Sequence, residues 1–129
     1  MQTSSYHLFR GPGRVAVSLG TPKWLDLPVY RPLVPAGWML QLDRDDYERA
    51  YSRQLAALDA RQVVADLRAL AAGAEPVLCC WEDLRKPEEW CHRQMIAAWL
   101  ERELGLQVPE YDPPAPPPPR QQTLFGMAK

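Results

Sequence analysis

A small α/β domain, with a mostly parallel sheet flanked by helices in a Rossmann-like arrangement and a proline-rich C-terminal tail, is the fold class that this 129-residue sequence predicts. Three observations carry that expectation. Short apolar runs bounded by turn signals, Val15-Ala16-Val17-Ser18-Leu19 and Pro76-Val77-Leu78-Cys79-Cys80-Trp81, read as buried strands. The segments between and after them repeat apolar residues at three- and four-residue spacing, as amphipathic helices do. Six of the 14 prolines fall within residues 113–120, where missing amide donors and fixed φ exclude helix and central strand.

Composition narrows the class further. Apolar residues make up 47% and charged residues 24%, close to globular averages, which disfavours wholesale disorder, a coiled coil or a collagen-like repeat. A chain of this length forms one core. Fifteen Lys and Arg against sixteen Asp and Glu leave a net charge of -1, so any association with DNA is local or indirect rather than driven by bulk charge. No run of about 18 apolar residues exists, and Met1-Gln2-Thr3-Ser4-Ser5 lacks the profile of a signal peptide, so a cytoplasmic protein without a membrane partner is expected. Three cysteines, two of them adjacent, fit reduced thiols better than a secreted disulfide scaffold.

The elements follow in chain order. After the Val15 strand, residues 20–42 lack periodicity and hold several prolines with Trp24, Tyr30 and Trp38, which predicts an ordered loop or lid. Tyr47, Tyr51, Leu55 and Leu58, then Val63, Val64, Leu67, Leu70 and Ala71, predict two helices broken near Asp59, which can cap the second. Gly73 suits a helix C-cap. A third helix is expected from Pro87, with Glu88 and Glu89 favourable to its dipole, an apolar face of Trp90, Met95, Trp99 and Leu100, and Gly105 as its end. The domain so read covers residues 1–111, followed by a polyproline linker over 112–120 and a terminal peptide over 121–129.

In parallel sheets ligands collect beyond the carboxyl ends of the strands. Two polar clusters stand there. Ser18, Gly20, Pro22, Lys23 and Trp24 follow the first strand and are candidate ligand-binding residues. Cys80, Glu82, Cys91, His92 and Arg93 form the candidate catalytic group. A thiol near a helix N-terminus and beside His and Arg gains thiolate character, which makes it a nucleophile. His92 would serve as base or acid, Arg93 as an anion clamp, and Glu82 as an orienting carboxylate. Cys80 and Cys91 can alternatively be a redox pair, or join His92 and Glu82 around a metal. The spacing is not one of the close-paired zinc signatures, so no metal or cofactor is expected. Cys79 reads as core packing.

These residues resemble the family of proteins known as domain of unknown function 488. The likeness rests on Thr3, Ser4 and Tyr6, then Ser18, Gly20, Pro22, Lys23 and Trp24, then Tyr30, Leu33 and Pro35, then Cys80, Trp81 and Glu82, and finally Cys91, His92 and Arg93. It spans most of residues 2–104. The resemblance implies an α/β fold with an early strand at Thr3 and a site at the strand ends, and it carries no established reaction.

The tail holds a second resemblance. Gln121, Leu124 and Phe125 are similar to the anchoring positions of the bacterial sliding-clamp-binding pentapeptide. Leu and Phe can enter an apolar groove while the Gln amide supplies directional hydrogen bonds, and a chain pre-extended by proline loses less entropy on docking. At about 3.1 Å per residue, the proline linker would hold this peptide roughly 25 Å from the domain. The expectation is therefore an accessory protein tethered to the clamp and linked to DNA replication, repair or nucleotide metabolism. The alternative is a small cytosolic thiol-dependent enzyme, or a redox or metal sensor.

Overall fold

The computed structural model describes residues 1–115. Three strands, β1 (Gln2–Ser5), β2 (Arg14–Ala16) and β3 (Val77–Cys80), form one parallel sheet in the order β1-β3-β2. Leu78 is in register with both Thr3 and Val15. The expected small parallel α/β sheet is therefore present. Both edges gain one further parallel bridge, Thr3 with Glu110 and Ala16 with Val29, which covers strand edges that would otherwise be open to pairing.

Parallel pairing needs a long crossover, and α1 (Arg44–Ala56) and α2 (Ala60–Leu70) supply it between β2 and β3. Asp43 caps α1 by accepting the amide of Asp46, and Asp59 caps α2 by accepting those of Arg61 and Gln62. The break at Asp59 lies where the sequence places it. Residues 20–42 are an ordered loop with two short 3-10 turns, Arg31–Leu33 and Gly37–Gln41, and bury Tyr30, Leu33 and Met39.

Two expectations are corrected. The strand from Val15 ends at Ala16, because the Ser18 hydroxyl donates to the Gly20 carbonyl at 2.6 Å and bends the chain away from the sheet. The third helix, α3 (His92–Leu104), starts at His92 rather than Pro87. Residues 83–90 form turns, since the Glu89 carboxylate captures the Asp83 amide at 2.8 Å and the Asp83 carboxylate captures that of Arg85 at 3.1 Å. Such side-chain capture competes with helical hydrogen bonding. Gly105, at φ 66°, ends α3 in the left-handed conformation that glycine adopts without steric cost.

Successive side chains of β3 face opposite ways. Leu78 and Cys80 join the main core with Val15, Val17, Tyr51, Leu55, Val63, Leu67, Ile96 and Leu100, so the three helices pack there. Val77 and Cys79 face a smaller cluster with Tyr6 and Ala16, covered by Phe9, Leu25, Leu27 and Val29. Gly13, at φ 88°, sits so close to the Glu75 carbonyl that a β-carbon would collide with it, which lets the chain entering β2 lie against the start of β3.

Arg93 is fully buried and pairs through Nε and Nη2 with both oxygens of Glu110 at 2.9 and 2.8 Å. The Thr3 hydroxyl donates to the same carboxylate at 2.8 Å. This cluster ties α3, β1 and the segment after α3 together. Removing one partner of a buried pair strands the other charge, a loss of several kcal/mol that the half-exposed Glu110 moderates. Glu110→Ala is expected to cost about 2–3 kcal/mol in urea unfolding, and adding Arg93→Met should recover much of it. Equal stability of Glu110→Ala and the parent chain would show that the pair holds nothing together.

Candidate functional site

The chain brings β3 and α3 together at the helix-side carboxyl end of the sheet. Cys80 is the last residue of β3, and its helix-facing position follows from strand alternation. Cys91 is extended, at φ -146° and ψ 146°, and is the N-cap of α3. Its sulfur accepts the Arg93 amide at 3.5 Å, while the Gln94 side chain accepts the Cys91 amide at 3.3 Å. A thiol thus replaces the usual hydroxyl in a capping box, and the helix N-terminus favours negative charge on it.

His92 connects these groups. Its ring is buried, lies edge-to-face on Tyr51 at 5.2 Å, and has Nε2 2.6 Å from the Val17 carbonyl oxygen. A carbonyl only accepts, so Nε2 carries the proton, and in the neutral ring Nδ1 presents a lone pair. That lone pair faces Cys91 Sγ at 3.6 Å and Cys80 Sγ at 4.0 Å. Burial pushes the His92 pKa down to about 4; the Val17 carbonyl opposes the shift and the Arg93 charge adds to it. The imidazole is neutral near pH 7.

Cys80 and Cys91 are joined as a disulfide, with Cα atoms 7.7 Å apart, and Cys79 is the one free cysteine among the described residues, so the reduced state expected of the pair is not the state of this structure. Ordinary disulfides span about 4.4–6.8 Å between Cα atoms, so the end of β3 and the start of α3 stand wider apart than at most such bridges. Cys80 Sγ also lies 3.0 Å from Glu82 Oε2, close enough for the thiol to donate to that carboxylate once the pair is reduced. Above the sulfurs opens a cavity of about 400 Å³, lined by Ser18, Gly20, Tyr47, Trp81, Glu82 and Trp90 among others. Burial, aided by the nearby Glu82 charge, raises the Tyr47 pKa and keeps its phenol neutral.

The structure thus brings Cys80, Glu82, Cys91 and His92 to one cavity, and adds Ser18 and Gly20 from the other predicted cluster. The rest are elsewhere. Arg93 does not line the cavity; its guanidinium is held by Glu110, which replaces the expected anion clamp with a structural pair. Pro22 is buried and Lys23 is exposed outside the cavity. Trp24, 63% exposed, packs edge-on against Trp81 and lines a separate cleft with Tyr6, His7, Arg10 and Arg14. Gln121, Leu124 and Phe125 lie outside the described residues. Sequence reading missed Tyr47 and Trp90, whose helical spacing signalled only packing, and the Val17 carbonyl, a backbone group that residue type cannot announce.

Two outcomes follow from these environments. The unfolded chain protonates a histidine near pH 6.5 and the folded chain near 4, so folded stability is complete above the higher value and falls as pH drops through this window. In chelating buffer, urea unfolding should lose about 3 kcal/mol to this one group between pH 7 and 4, and His92→Gln should flatten that slope. Burial pushes the Cys79 thiol up to about 12, so it should resist iodoacetamide in the folded chain at pH 8 and react only on unfolding. Rapid native labelling of Cys79 would contradict the packing seen around it.

Residues 36–104 match the sequence profile of DUF488-N3a, described as the active DUF488-N3 subclade. The match includes Cys80, Glu82, Cys91 and His92. No curated protein and no solved structure shows significant similarity to the chain. Since the profile spans more than half of the sequence, the chain belongs to the DUF488 family.

Proposed function

We propose that the chain is a small thiol-dependent enzyme in which Cys91 attacks and Cys80 resolves, acting by thiol–disulfide exchange on a small substrate in the cavity. The single observation that carries this reading is the His92 Nδ1 lone pair, fixed by the Val17 carbonyl and facing two touching sulfurs on the cavity floor. The two thiols are not equivalent. Cys91 has the shorter contact to Nδ1 and sits on the amides of a helix N-terminus, so its thiolate is stabilised. In the reduced chain Cys80 stands 3.0 Å from the Glu82 carboxylate, which favours its neutral thiol.

The chemistry balances without an outside oxidant other than the substrate disulfide. The Cys91 proton passes to His92 Nδ1; the thiolate attacks one substrate sulfur, a mixed disulfide forms, and the substrate's second sulfur leaves as thiolate. The Cys80 proton passes to Glu82, and Cys80 attacks Cys91 Sγ, which releases the first substrate sulfur and leaves a Cys80–Cys91 disulfide. The description of the subclade as active agrees with a retained site.

With an aromatic disulfide such as dithionitrobenzoate, the reduced chain should release two thiolate equivalents from the pair. Cys80→Ser should stop at one and retain a mixed disulfide visible by mass, while Cys91→Ser and His92→Gln should slow release at least tenfold, as expected on loss of a nucleophile or its base. Undiminished release from Cys91→Ser would remove Cys91 from the role.

A second reading stands on the tail. Gln121, Leu124 and Phe125 at the end of the proline linker would dock in the apolar groove of a bacterial sliding clamp, raising the local concentration of the domain near DNA. A labelled peptide of residues 120–129 should bind such a clamp saturably at about micromolar Kd, with loss on Leu124→Ala plus Phe125→Ala. Unaltered binding by the double variant would end that proposal.

A further inference from the structure

The geometry points to a soft-metal site: reduced Cys80 and Cys91, as thiolates, and His92 Nδ1 together hold a zinc-type divalent cation, with its fourth position open to the cavity. The three ligand atoms lie within 4.8 Å of one another, and all three residues are buried. In a tetrahedral zinc site with bonds of about 2.3 Å to sulfur and 2.0–2.1 Å to nitrogen, neighbouring S and N ligands stand about 3.5 Å apart. His92 Nδ1 is 3.6 and 4.0 Å from the two sulfurs, so the S–N edges already fit.

The S–S edge of such a site is about 3.7 Å, so the touching sulfurs would separate as the ion enters. Their wide Cα spacing of 7.7 Å gives room for that movement. Metal-ligating histidines nearly always donate their other ring N–H to a carbonyl or carboxylate, and the Val17 carbonyl already plays that part. Binding follows M²⁺ + 2 RSH → M(SR)₂ + 2 H⁺, with neutral imidazole as third ligand. Two sulfurs and one imidazole select a soft or borderline ion rather than magnesium or calcium. The open fourth position faces the cavity, where Glu82 stands beside Cys80 and can accept a proton from a metal-bound water. A chain so loaded would keep its thiols out of exchange chemistry, which makes metal occupancy and the dithiol reaction of the preceding section alternative states of one site; the inference rests on the same residues but not on that reaction.

The test uses the full-length, reduced, metal-free chain titrated anaerobically with cobalt(II). The expected result is one equivalent bound with a thiolate-to-cobalt charge-transfer band and the strong visible bands of a tetrahedral site, zinc displacing cobalt, and about two protons released per ion near neutral pH. Cys79→Ser should keep the spectrum. Cys80→Ser and Cys91→Ser should each lose it, and His92→Gln should weaken apparent affinity by at least about tenfold. One measurement needs no variant: zinc should slow iodoacetamide labelling of Cys80 and Cys91 at least tenfold in the parent chain. Absence of the charge-transfer band in the reduced parent chain, or its survival in Cys91→Ser, overturns the metal site. Fast dithionitrobenzoate exchange without cobalt uptake would remove the metal site alone. Cobalt uptake with exchange undiminished in Cys91→Ser would remove only the exchange reaction.

Discussion

The hydrogen bond from His92 Nε2 to the Val17 carbonyl is the contact on which the site depends. It joins the chain leaving β2 to the first turn of α3 across 75 residues of sequence. Because a backbone carbonyl cannot donate, the bond also selects the tautomer, and with it the direction in which the imidazole lone pair points. Val17 is held in turn by the sheet, its amide donating to the Cys79 carbonyl at 3.0 Å. The orientation of the His92 ring is thus referred back to the backbone ladder.

The alternation of β3 makes the second contribution. Cys79 and Cys80 are neighbours in sequence but occupy different chemistries, because one side chain points to the loop-covered face and the other to the helices. A one-residue slip in the register of β3 would exchange them, taking Cys80 away from His92. Pairing on both sides of β3, with Leu78 opposite both Thr3 and Val15, resists that slip. The Thr3, Glu110 and Arg93 cluster then anchors the same strands to α3 just beyond the site.

Much of the fold was legible because its elements are local and patterned. The strand at 77–80 and the helix break at Asp59 follow from apolar runs and capping chemistry that act over a few residues. The start of α3 was not, since Pro87, Glu88 and Glu89 satisfy every local rule for a helix N-terminus. What overrides them is a competing set of side-chain captures at Asp83 and Glu89 and a cysteine that caps one turn later. In the site, Cys80, Glu82, Cys91 and His92 were recognisable by type and spacing. Arg93 was misread for a physical reason: its partner Glu110 is 17 residues away, and no local pattern distinguishes a cation aimed at a ligand from one neutralised within the fold.

The surroundings of the site set the charge on its imidazole and differ between its two sulfurs. A thiol beside an imidazole often rests as a thiolate–imidazolium pair, reactive at all times. Here the ring is buried and made to donate to a carbonyl, so protonation at Nδ1 would place a full positive charge in the core beside Arg93. The neutral imidazole is therefore favoured. At Cys80 the opposite influence holds, because the Glu82 carboxylate 3.0 Å away opposes a negative charge on that sulfur. The two sulfurs thus have different surroundings, a helix N-terminus on one side and a carboxylate on the other.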